Sequence, residues 1–315
     1  MAPTILIAGA TGKTGRSVVE TLSELLENTS HLSGHRILAL TRSLSNPTAQ
    51  KFAKLPGVEV AEKNWAEVDA DWLRENEVVR AFIAPHTEPG QFPEESAFHL
   101  AALRAGVKYV VRISTTAANV RPDSATYYAR THWAIEALLS TPEFRDLHWT
   151  SLQPNIFAPL FLDSSVKLIK QYRETGKQDT LRILGAADVP VAIIHPDDVG
   201  ALAARLLAQK DTSPHNGARL VLGGPEDVTG EQLVRMVEEY IGTKVENVSY
   251  KDMSLLDAWL AASPGSTHLQ SSIRYALQST WSGLCKASAT SREVLEIAPP
   301  KRTPAQVLKA LVEQV

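Results

Sequence analysis

The feature that most constrains this chain is a stretch near its start, TILIAGATGKTGRSVVETL, from Thr4 to Leu22. It opens with a short apolar run, Ile5 to Ala8, which is typical of a strand buried on both faces of a sheet. Glycines at a spacing of three follow, and then apolar residues at helical spacing. Strand, glycine turn and helix in this order favour a dinucleotide-binding loop.

The chemistry of this loop follows from its glycines and from the helix behind it. Glycine lets the backbone turn tightly and approach a pyrophosphate, because no Cβ stands in the way. The first turn of the helix then offers free N–H groups and a partial positive charge to the phosphates. A glycine-rich turn that binds no ligand is the alternative. The residues predicted to contact the dinucleotide here are Gly9, Thr11, Gly12, Lys13, Thr14 and Gly15.

The end of the second predicted strand, His35 to Ser43, indicates the type of cofactor. Folds that prefer NAD place an acidic residue here to bind the ribose 2′-hydroxyl. This chain has Arg42 instead, which can pair with a 2′-phosphate, and Lys13 in the glycine loop offers a second cation. The two residues therefore favour NADP(H) over NAD(H). The alternative is that both are ordinary solvated surface charges.

Strands and helices alternate through the first half of the chain, which predicts a doubly wound parallel sheet. We assign residues 1–157 to a dinucleotide-binding core and 158–315 to a part that completes the sheet and forms a smaller substrate-side lobe. A helical pattern from Ser254 to Thr280 is broken at Pro264 and Gly265. Ligands of such sheets bind at the carboxyl ends of the strands. The residues expected there are Ala84, Pro85, Ser114, Pro154, Asn155 and Ile156.

Composition excludes several classes of protein. The net charge of −3 argues against a general nucleic-acid binder. No apolar run is long enough to span a membrane, and the first residues lack the pattern of a signal peptide. Cys285 is the only cysteine, so no intrachain disulfide is expected, which suits the cytoplasm. His195 and Asp197 suggest a metal site only weakly, and no metal is expected.

The stretch Arg121 to Leu139 predicts a helix that Asp123 or Ser124 can cap. It carries Tyr128, His132 and Glu136 at a spacing of four, so their side chains share one face. With the glycine loop and the Ser114 strand end, this helix makes the chain resemble the NmrA-like branch of the short-chain dehydrogenase/reductase superfamily. Further motifs that carry the resemblance are ALTR, AGVKYVVRIS, THWAIEALL, WTSLQPNIF, HPDDVGALAARLL and LVLGGPEDVTGEQL.

The resemblance implies a Rossmann-type fold and, in a reductase, a defined set of roles. The main branch of the superfamily pairs a tyrosine with a lysine four residues later, whereas here His132 follows Tyr128, as in some NmrA-like members. Tyr128 is the first candidate for the proton donor, with His132 as ribose ligand or relay and Glu136 steadying His132. Ser114 is a candidate to bind substrate or the nicotinamide amide. The alternative is that Tyr128 only packs and His132 only binds a cofactor hydroxyl or a backbone carbonyl.

The function predicted from these residues is an NADPH-dependent reductase of a small apolar molecule such as a quinone, enone, imine or carbonyl. The resemblance makes a role in specialised metabolism plausible. Two alternatives stay open: an NADP(H)-sensing protein that regulates a protein partner without turnover, and an isomerase or cyclase on the same fold. A homodimer is an open expectation.

Overall fold

The computed structural model describes residues 2–262 and 267–314, so the predicted break at Pro264 and Gly265 lies outside the described residues. The described strands are β1 (Thr4–Ala8), β2 (Arg36–Thr41), β3 (Val58–Glu62), β4 (Val78–Ile83), β5 (Tyr109–Ile113), β6 (His148–Pro154), β7 (Leu181–Ile183), β8 (Ala218–Leu222) and β9 (Val248–Tyr250).

Helices alternate with these strands as the sequence predicted. The described α-helices are α1 (Gly15–Asn28), α2 (Pro47–Phe52), α3 (Ala70–Glu75), α4 (Gln91–Ala105), α5 (Tyr127–Leu139), α6 (Ala158–Phe161), α7 (Asp163–Thr175), α8 (Pro196–Leu207), α9 (Gly230–Ile241), α10 (Ser254–Ala262), α11 (Thr267–Ser271), α12 (Gln278–Trp281), α13 (Arg292–Ile297) and α14 (Pro304–Glu313).

Seven strands form one sheet in the order β3-β2-β1-β4-β5-β6-β8, and all neighbouring strands in it are parallel. The chain crosses over between β3 and β4, so the switch point of the topology lies beside β1. In open α/β sheets the ligand crevice forms at this point, outside the carboxyl ends of the strands. This is the Rossmann-type doubly wound fold that the sequence predicted.

Apolar side chains cover both faces of the sheet. Val18 and Leu22 of α1 pack with Leu202 of α8 on one face, and all are fully buried. Phe98 of α4 and Ile135 of α5 pack on the other face. All five residues of β1 are buried, which explains why that strand is an unbroken apolar run.

A third apolar cluster forms the smaller C-terminal lobe around the parallel pair β7–β9. It joins α7, α9 and α14 through side chains such as Leu168, Leu233 and Leu308. Thr229 and Thr303 begin α9 and α14 with reciprocal capping bonds to Gln residues three positions on. Among the described residues, none of the helices combines the length and apolar character that a membrane span requires.

Two helices begin at residues other than those predicted. α5 begins at Tyr127, beyond the predicted cap at Asp123 or Ser124, because residues 121–124 form a turn in which the Ser124 N–H donates to the Arg121 carbonyl. This turn follows a 3₁₀ turn over Ala117–Asn119. That turn is tied down by Asn119, whose amide donates to the carbonyl of Ala276. The sequence predicts a helix from Glu95 to Ala105, but α4 begins four residues earlier, at Gln91, since Pro93 fits the first helical turn, where a missing N–H costs nothing.

Candidate functional site

The predicted strand-end residues do lie at one edge of the sheet. The hydrogen-bond pattern continues one residue beyond three strands: Ala84 N–H donates to the Ala8 carbonyl, Ser114 N–H to Leu152 and Asn155 N–H to Leu222. Each of these residues is therefore fixed at the carboxyl end of its strand. The glycine loop follows β1 at the same edge, beside Ala84.

The glycine loop is built so that side chains cannot fill it. Gly9 has a φ of +83°, and a Cβ there would lie 3.1 Å from the carbonyl oxygen of Ala84. A Cβ on Gly15 would lie 2.1 Å from the carbonyl oxygen of Gly9, which is an impossible approach. α1 begins directly after the loop, and the Thr14 side chain does not cap it. The loop thus offers backbone and an uncapped helix terminus, which fits a pyrophosphate.

The two cations predicted to bind a 2′-phosphate both stand in solvent at this edge. Lys13 lies in the glycine loop and Arg42 follows β2, and both are exposed. Within the described part of the chain, neither side chain forms a hydrogen bond or an ion pair. The loop that carries Arg42 is held by Thr41, whose hydroxyl donates to the carbonyl of Ser43 over 3.0 Å. Both charges are therefore available to an anionic ligand.

Ser114 directly follows β5, and Tyr128 is hydrogen-bonded to the next residue, Thr115. Ser114 is 5% exposed, and its hydroxyl has no hydrogen-bond partner among the described residues. Tyr128 is half-buried; burial raises the pKa of its phenol, while a hydrogen bond with the Thr115 side chain opposes that shift. The hydroxyl of the neighbouring Tyr127 donates to the carbonyl of Thr87, so its proton is already used in a hydrogen bond within the protein. A buried hydroxyl without a partner, next in sequence to the residue that binds the Tyr128 phenol, fits a site for a ligand oxygen.

His132 lies behind Tyr128, with the two rings perpendicular and their centroids 6.3 Å apart. Its Nδ1 lies 2.8 Å from Nη2 of Arg112 and 3.3 Å from Nε2 of Gln91. Burial and, second, the Arg112 charge lower the pKa of His132 to about 3. The imidazole is therefore neutral near pH 7.

The expectation that Glu136 steadies His132 is wrong, because the Glu136 carboxylate binds other side chains. The Glu136 carboxylate accepts hydrogen bonds from Ser151 over 2.6 Å, from Gln153 over 3.1 Å and from Arg219 over 3.0 Å. Arg112 binds His132 instead, because β5 carries its guanidinium between α4 and α5. Glu136 is linked to His132 through Arg112, whose Nη1 lies 3.5 Å from Oε1 of Glu136.

Arg112 is the residue that sequence analysis missed. It is fully buried and donates from Nε to Glu95 over 2.7 Å and from Nη1 to Ser151 over 2.9 Å. Burial acts to raise the pKa of Glu95, but Arg112 holds it well below its usual range. The signal was present in the sequence, since a charged residue inside the apolar strand Tyr109–Ile113 needs a buried partner.

The residues at the end of β6 and after it, which are predicted to contact the cofactor, also bind or pack against other parts of the protein. The Asn155 amide donates to the carbonyls of Ala192 and Cys285 over 3.2 and 3.1 Å, so its nitrogen holds the C-terminal lobe to the strand end. The carbonyl of Pro154 accepts from the hydroxyl of Thr116 over 3.4 Å. Ile156 is half-buried and packs against the lobe cluster. Contact between these residues and a cofactor stays a prediction.

The start of α8 shows why the acidic residues there favour structure over metal. Asp198 accepts from the side chain of Arg302 over 2.6 Å and from the backbone of Lys301 and Arg302 over 3.2 Å. It thereby anchors the C-terminal segment to α8. Among the described side chains, no three His, Cys, Asp or Glu converge as a metal ion would need.

A family model described as the NmrA-like family matches residues 1–280. The chain belongs to this family. A search of curated proteins found no match. Among solved structures, the chain is similar to an NADPH-dependent quinone oxidoreductase of Escherichia coli in complex with NADPH, with 23% identity, a TM-score of 0.72, and coverage of 98% of this chain and 99% of that one.

Two further solved structures show how widely this fold is used. A Citrobacter triphenylmethane reductase in complex with NADP(H) is 19% identical, with a TM-score of 0.69 and coverage of 98% of this chain and 99% of that one. The negative transcriptional regulator NmrA in complex with NAD is 14% identical, with a TM-score of 0.70 and coverage of 98% and 94%. Enzymes and a regulator therefore share the fold of this NmrA-like protein.

Proposed function

We propose that this NmrA-like protein binds NADP(H) and reduces a small apolar molecule. The observation that carries the proposal is the buried Ser114 hydroxyl, which lacks a partner among the described residues and lies beside Thr115, the hydrogen-bond partner of Tyr128. Such a pair can hold and protonate the oxygen or nitrogen of an acceptor. Ser114 lies at the same edge of the sheet as the glycine loop.

The residues present fit NADP(H). The glycine loop and the uncapped start of α1 suit the pyrophosphate, and the exposed Lys13 and Arg42 suit a 2′-phosphate. The quinone oxidoreductase and triphenylmethane reductase with the same fold were crystallised with NADPH or NADP(H), which supports this assignment.

When bound, the reduced cofactor supplies the hydride, and the protein supplies orientation and a proton. Tyr128 keeps its proton at neutral pH because burial raises its pKa, so its hydroxyl is ready to donate as charge develops on the acceptor. Ser114 positions the acceptor with a second hydrogen bond. His132 is neutral, so it donates a hydrogen bond to a ribose hydroxyl of the cofactor and does not act as an imidazolium relay.

The acceptor class proposed is a quinone, enone, imine or carbonyl compound. We assign the substrate side to residues 158–315, whose lobe packs against the strand ends through Asn155. Because Tyr128 is the only proton donor required, any of these acceptors fits the chemistry. The names of the two reductases of the same fold support small apolar acceptors.

An NADP(H)-sensing regulator is the second candidate. Two observations favour it: the fold similarity to the regulator NmrA, and the neutral His132 in place of a cation next to Tyr128. A sensor would bind the cofactor and change its affinity for a protein partner without turnover. The two candidates therefore differ in one measurable property, which is consumption of the cofactor.

Calorimetric titration with NADPH, NADP⁺, NADH and NAD⁺, followed by NADPH oxidation against a panel of quinones, enones and imines, tests the proposal. We expect NADPH binding and turnover, and Tyr128→Phe is expected to lower kcat by about 10²- to 10⁴-fold with little effect on NADPH affinity. Tyr127→Phe is the matched control, because Tyr127 donates to a backbone carbonyl. Binding without turnover would favour the sensor, and no binding would refute both.

A further inference from the structure

Arg112 and His132 are bound in a way that fixes where the imidazole proton lies. A guanidinium has only donors and is always charged. Its Nη2 lies 2.8 Å from Nδ1 of His132, so Nδ1 must accept. A second donor, Nε2 of Gln91, approaches the same atom at 3.3 Å. A nitrogen that accepts from a guanidinium carries no proton, and a neutral imidazole then carries its proton on Nε2.

The surroundings hold Arg112 in this orientation. Its three nitrogens have three different partners: Nε donates to Glu95 over 2.7 Å, Nη1 to Ser151 over 2.9 Å and Nη2 to His132. Each of these partners is at least 97% buried. Rotation of the guanidinium would leave a buried carboxylate or hydroxyl without its bond, which is costly. The orientation of the Arg112 guanidinium is therefore fixed by residues of three elements, α4, α5 and β6.

The other titratable groups around this cluster are accounted for. His99 lies 3.5 Å from Glu95 in α4, and its pKa is lowered by burial, so it is neutral. Glu136 faces Arg112 from α5 at 3.5 Å and is bound by Arg219 from β8. The polar groups around the Arg112–His132 pair, on either partner or one contact away, are Gln91, Glu95 and His99 of α4, Arg112 of β5, Ser151 of β6, and Tyr128 and Glu136 of α5.

We propose that Arg112 is a positioning residue that holds His132 as a neutral imidazole protonated on Nε2, and so makes His132 a fixed hydrogen-bond donor. Within the described residues, Nε2 has no hydrogen-bond partner of its own. The charge on Arg112 polarises the ring, so Nε2–H is a stronger donor than in a free imidazole. Arg112 thus places its positive charge on the Nδ1 side of the His132 ring, and this ring contacts Tyr128.

The acceptor of this hydrogen bond is a hydroxyl or carbonyl oxygen of the bound ligand. This assignment rests on the proposed function, in which His132 contacts the ribose of NADP(H). The tautomer itself does not rest on it, since it follows from contacts inside the protein. The two statements can therefore be tested separately.

The test is nitrogen NMR of the full-length protein with ¹⁵N-labelled histidine, with the His132 signals assigned by comparison with His132→Gln. We expect Nδ1 in the unprotonated range and Nε2 in the protonated range, unchanged between about pH 5 and pH 8, where a free histidine titrates. Titration in this window, or a proton on Nδ1, would overturn the proposal.

Arg112→Met tests whether Arg112 is the cause. We expect the single-tautomer signature to be lost and the two ring nitrogens to shift toward the averaged positions of exchanging tautomers. Because this variant leaves Glu95 without its partner, the double variant Arg112→Met with Glu95→Gln carries the same test if the single variant does not fold. An unchanged signature in a folded variant would refute the role of Arg112.

Arg80→Met is the matched control. Arg80 lies on the neighbouring strand β4 and donates to the carbonyls of Leu207 and Gln209, away from His132. Its loss should leave the His132 signals in place. Addition of NADP⁺ to the wild-type protein then tests the ligand contact, and we expect a shift of the Nε2–H signal. Absence of NADP⁺ binding would refute the proposed function and leave the tautomer assignment standing.

Discussion

At the scale of single residues, the site combines two groups that keep their protons. Tyr128 has a raised pKa because it is buried, and His132 is neutral because burial and Arg112 oppose its charge. In the main branch of short-chain dehydrogenases a lysine serves the tyrosine directly. Here the nearby cation is Arg112, whose Nη2 lies 2.8 Å from Nδ1 of His132.

The rate of reduction should therefore vary little with pH. Neither Tyr128 nor His132 changes its protonation between about pH 6 and pH 9, because the pKa of the first lies above this window and that of the second is about 3. Steady-state kcat for NADPH oxidation, measured across this range, checks the expectation. A fall in kcat with a midpoint near neutrality would contradict it.

Cofactor preference should depend on two exposed cations. Lys13→Ala and Arg42→Ala are each expected to weaken NADPH binding by about tenfold, because each removes a charge-assisted bond to the 2′-phosphate, and to leave NADH binding unchanged. Calorimetric Kd values for both cofactors measure this. Lys177→Ala, an exposed lysine in the lobe, is the control. Equal losses for NADPH and NADH would exclude the 2′-phosphate contact.

At the scale of elements, the glycine loop is held by the packing of α1 on α8. Gly200 makes this contact possible, since a Cβ there would lie 2.6 Å from the carbonyl oxygen of Thr14 and 2.7 Å from Cβ of Ser17. The hydroxyl of Ser17 donates to the carbonyl of Asp197 over 2.8 Å and closes the same contact. The start of α1 is thus positioned by the start of α8.

Gly200→Ala should destabilise the protein although it lies inside a helix. Alanine normally improves a helix interior by up to about 1 kcal/mol, but here its methyl group meets backbone that cannot move aside, at a cost of about 1–3 kcal/mol. Urea unfolding should show a net loss of free energy, accompanied by weaker NADPH binding. The adjacent half-buried Ala201, changed to Ser, is the control. A stabilised Gly200→Ala protein would refute this account of the helix contact.

At the scale of the whole molecule, the buried polar cluster links the sheet to both helices of one layer. Glu95 of α4, Arg112 of β5 and Glu136 of α5 are almost completely excluded from water. Buried charges of this kind are costly to separate, so the cluster fixes how α4 and α5 sit on the sheet. It also makes folding stability depend on pH.

Stability should fall as the pH is lowered through the range of free histidine. The pKa of His132 is lowered to about 3 in the folded protein, so its contribution is present above the unfolded pKa near 6.5 and is lost as the pH falls. Between about pH 7.5 and pH 5.5, protonation of His132 in the unfolded chain lowers the free energy of unfolding by about 1.4 kcal/mol. Urea unfolding of His132→Gln should show a pH dependence smaller by that amount. An identical dependence in both proteins would show that folding does not shift the pKa of His132.

Much of the site could be predicted because it follows from chain order. Gly9, Ala84 and Ser114 come directly after apolar strands, and parallel strands end at one edge of the sheet. The face shared by Tyr128 and His132 follows from a spacing of four in a helix. The starts of α4 and α5 could not be placed from capping residues alone, because a proline in the first turn of α4 and a backbone turn over residues 121–124 before α5 decided them.

The sequence by itself determined the Rossmann-type fold, the position of the dinucleotide loop and the strand ends that surround it, because these depend on local periodicity and on glycine. Only the tertiary structure decided which polar residues are paired. Arg112 meets Glu95 across 17 positions of the chain and His132 across 20, in contacts that no local pattern encodes. The protonation state of His132, and hence its chemistry, follows from those contacts and from burial, which exist only once the sheet and its helices have packed.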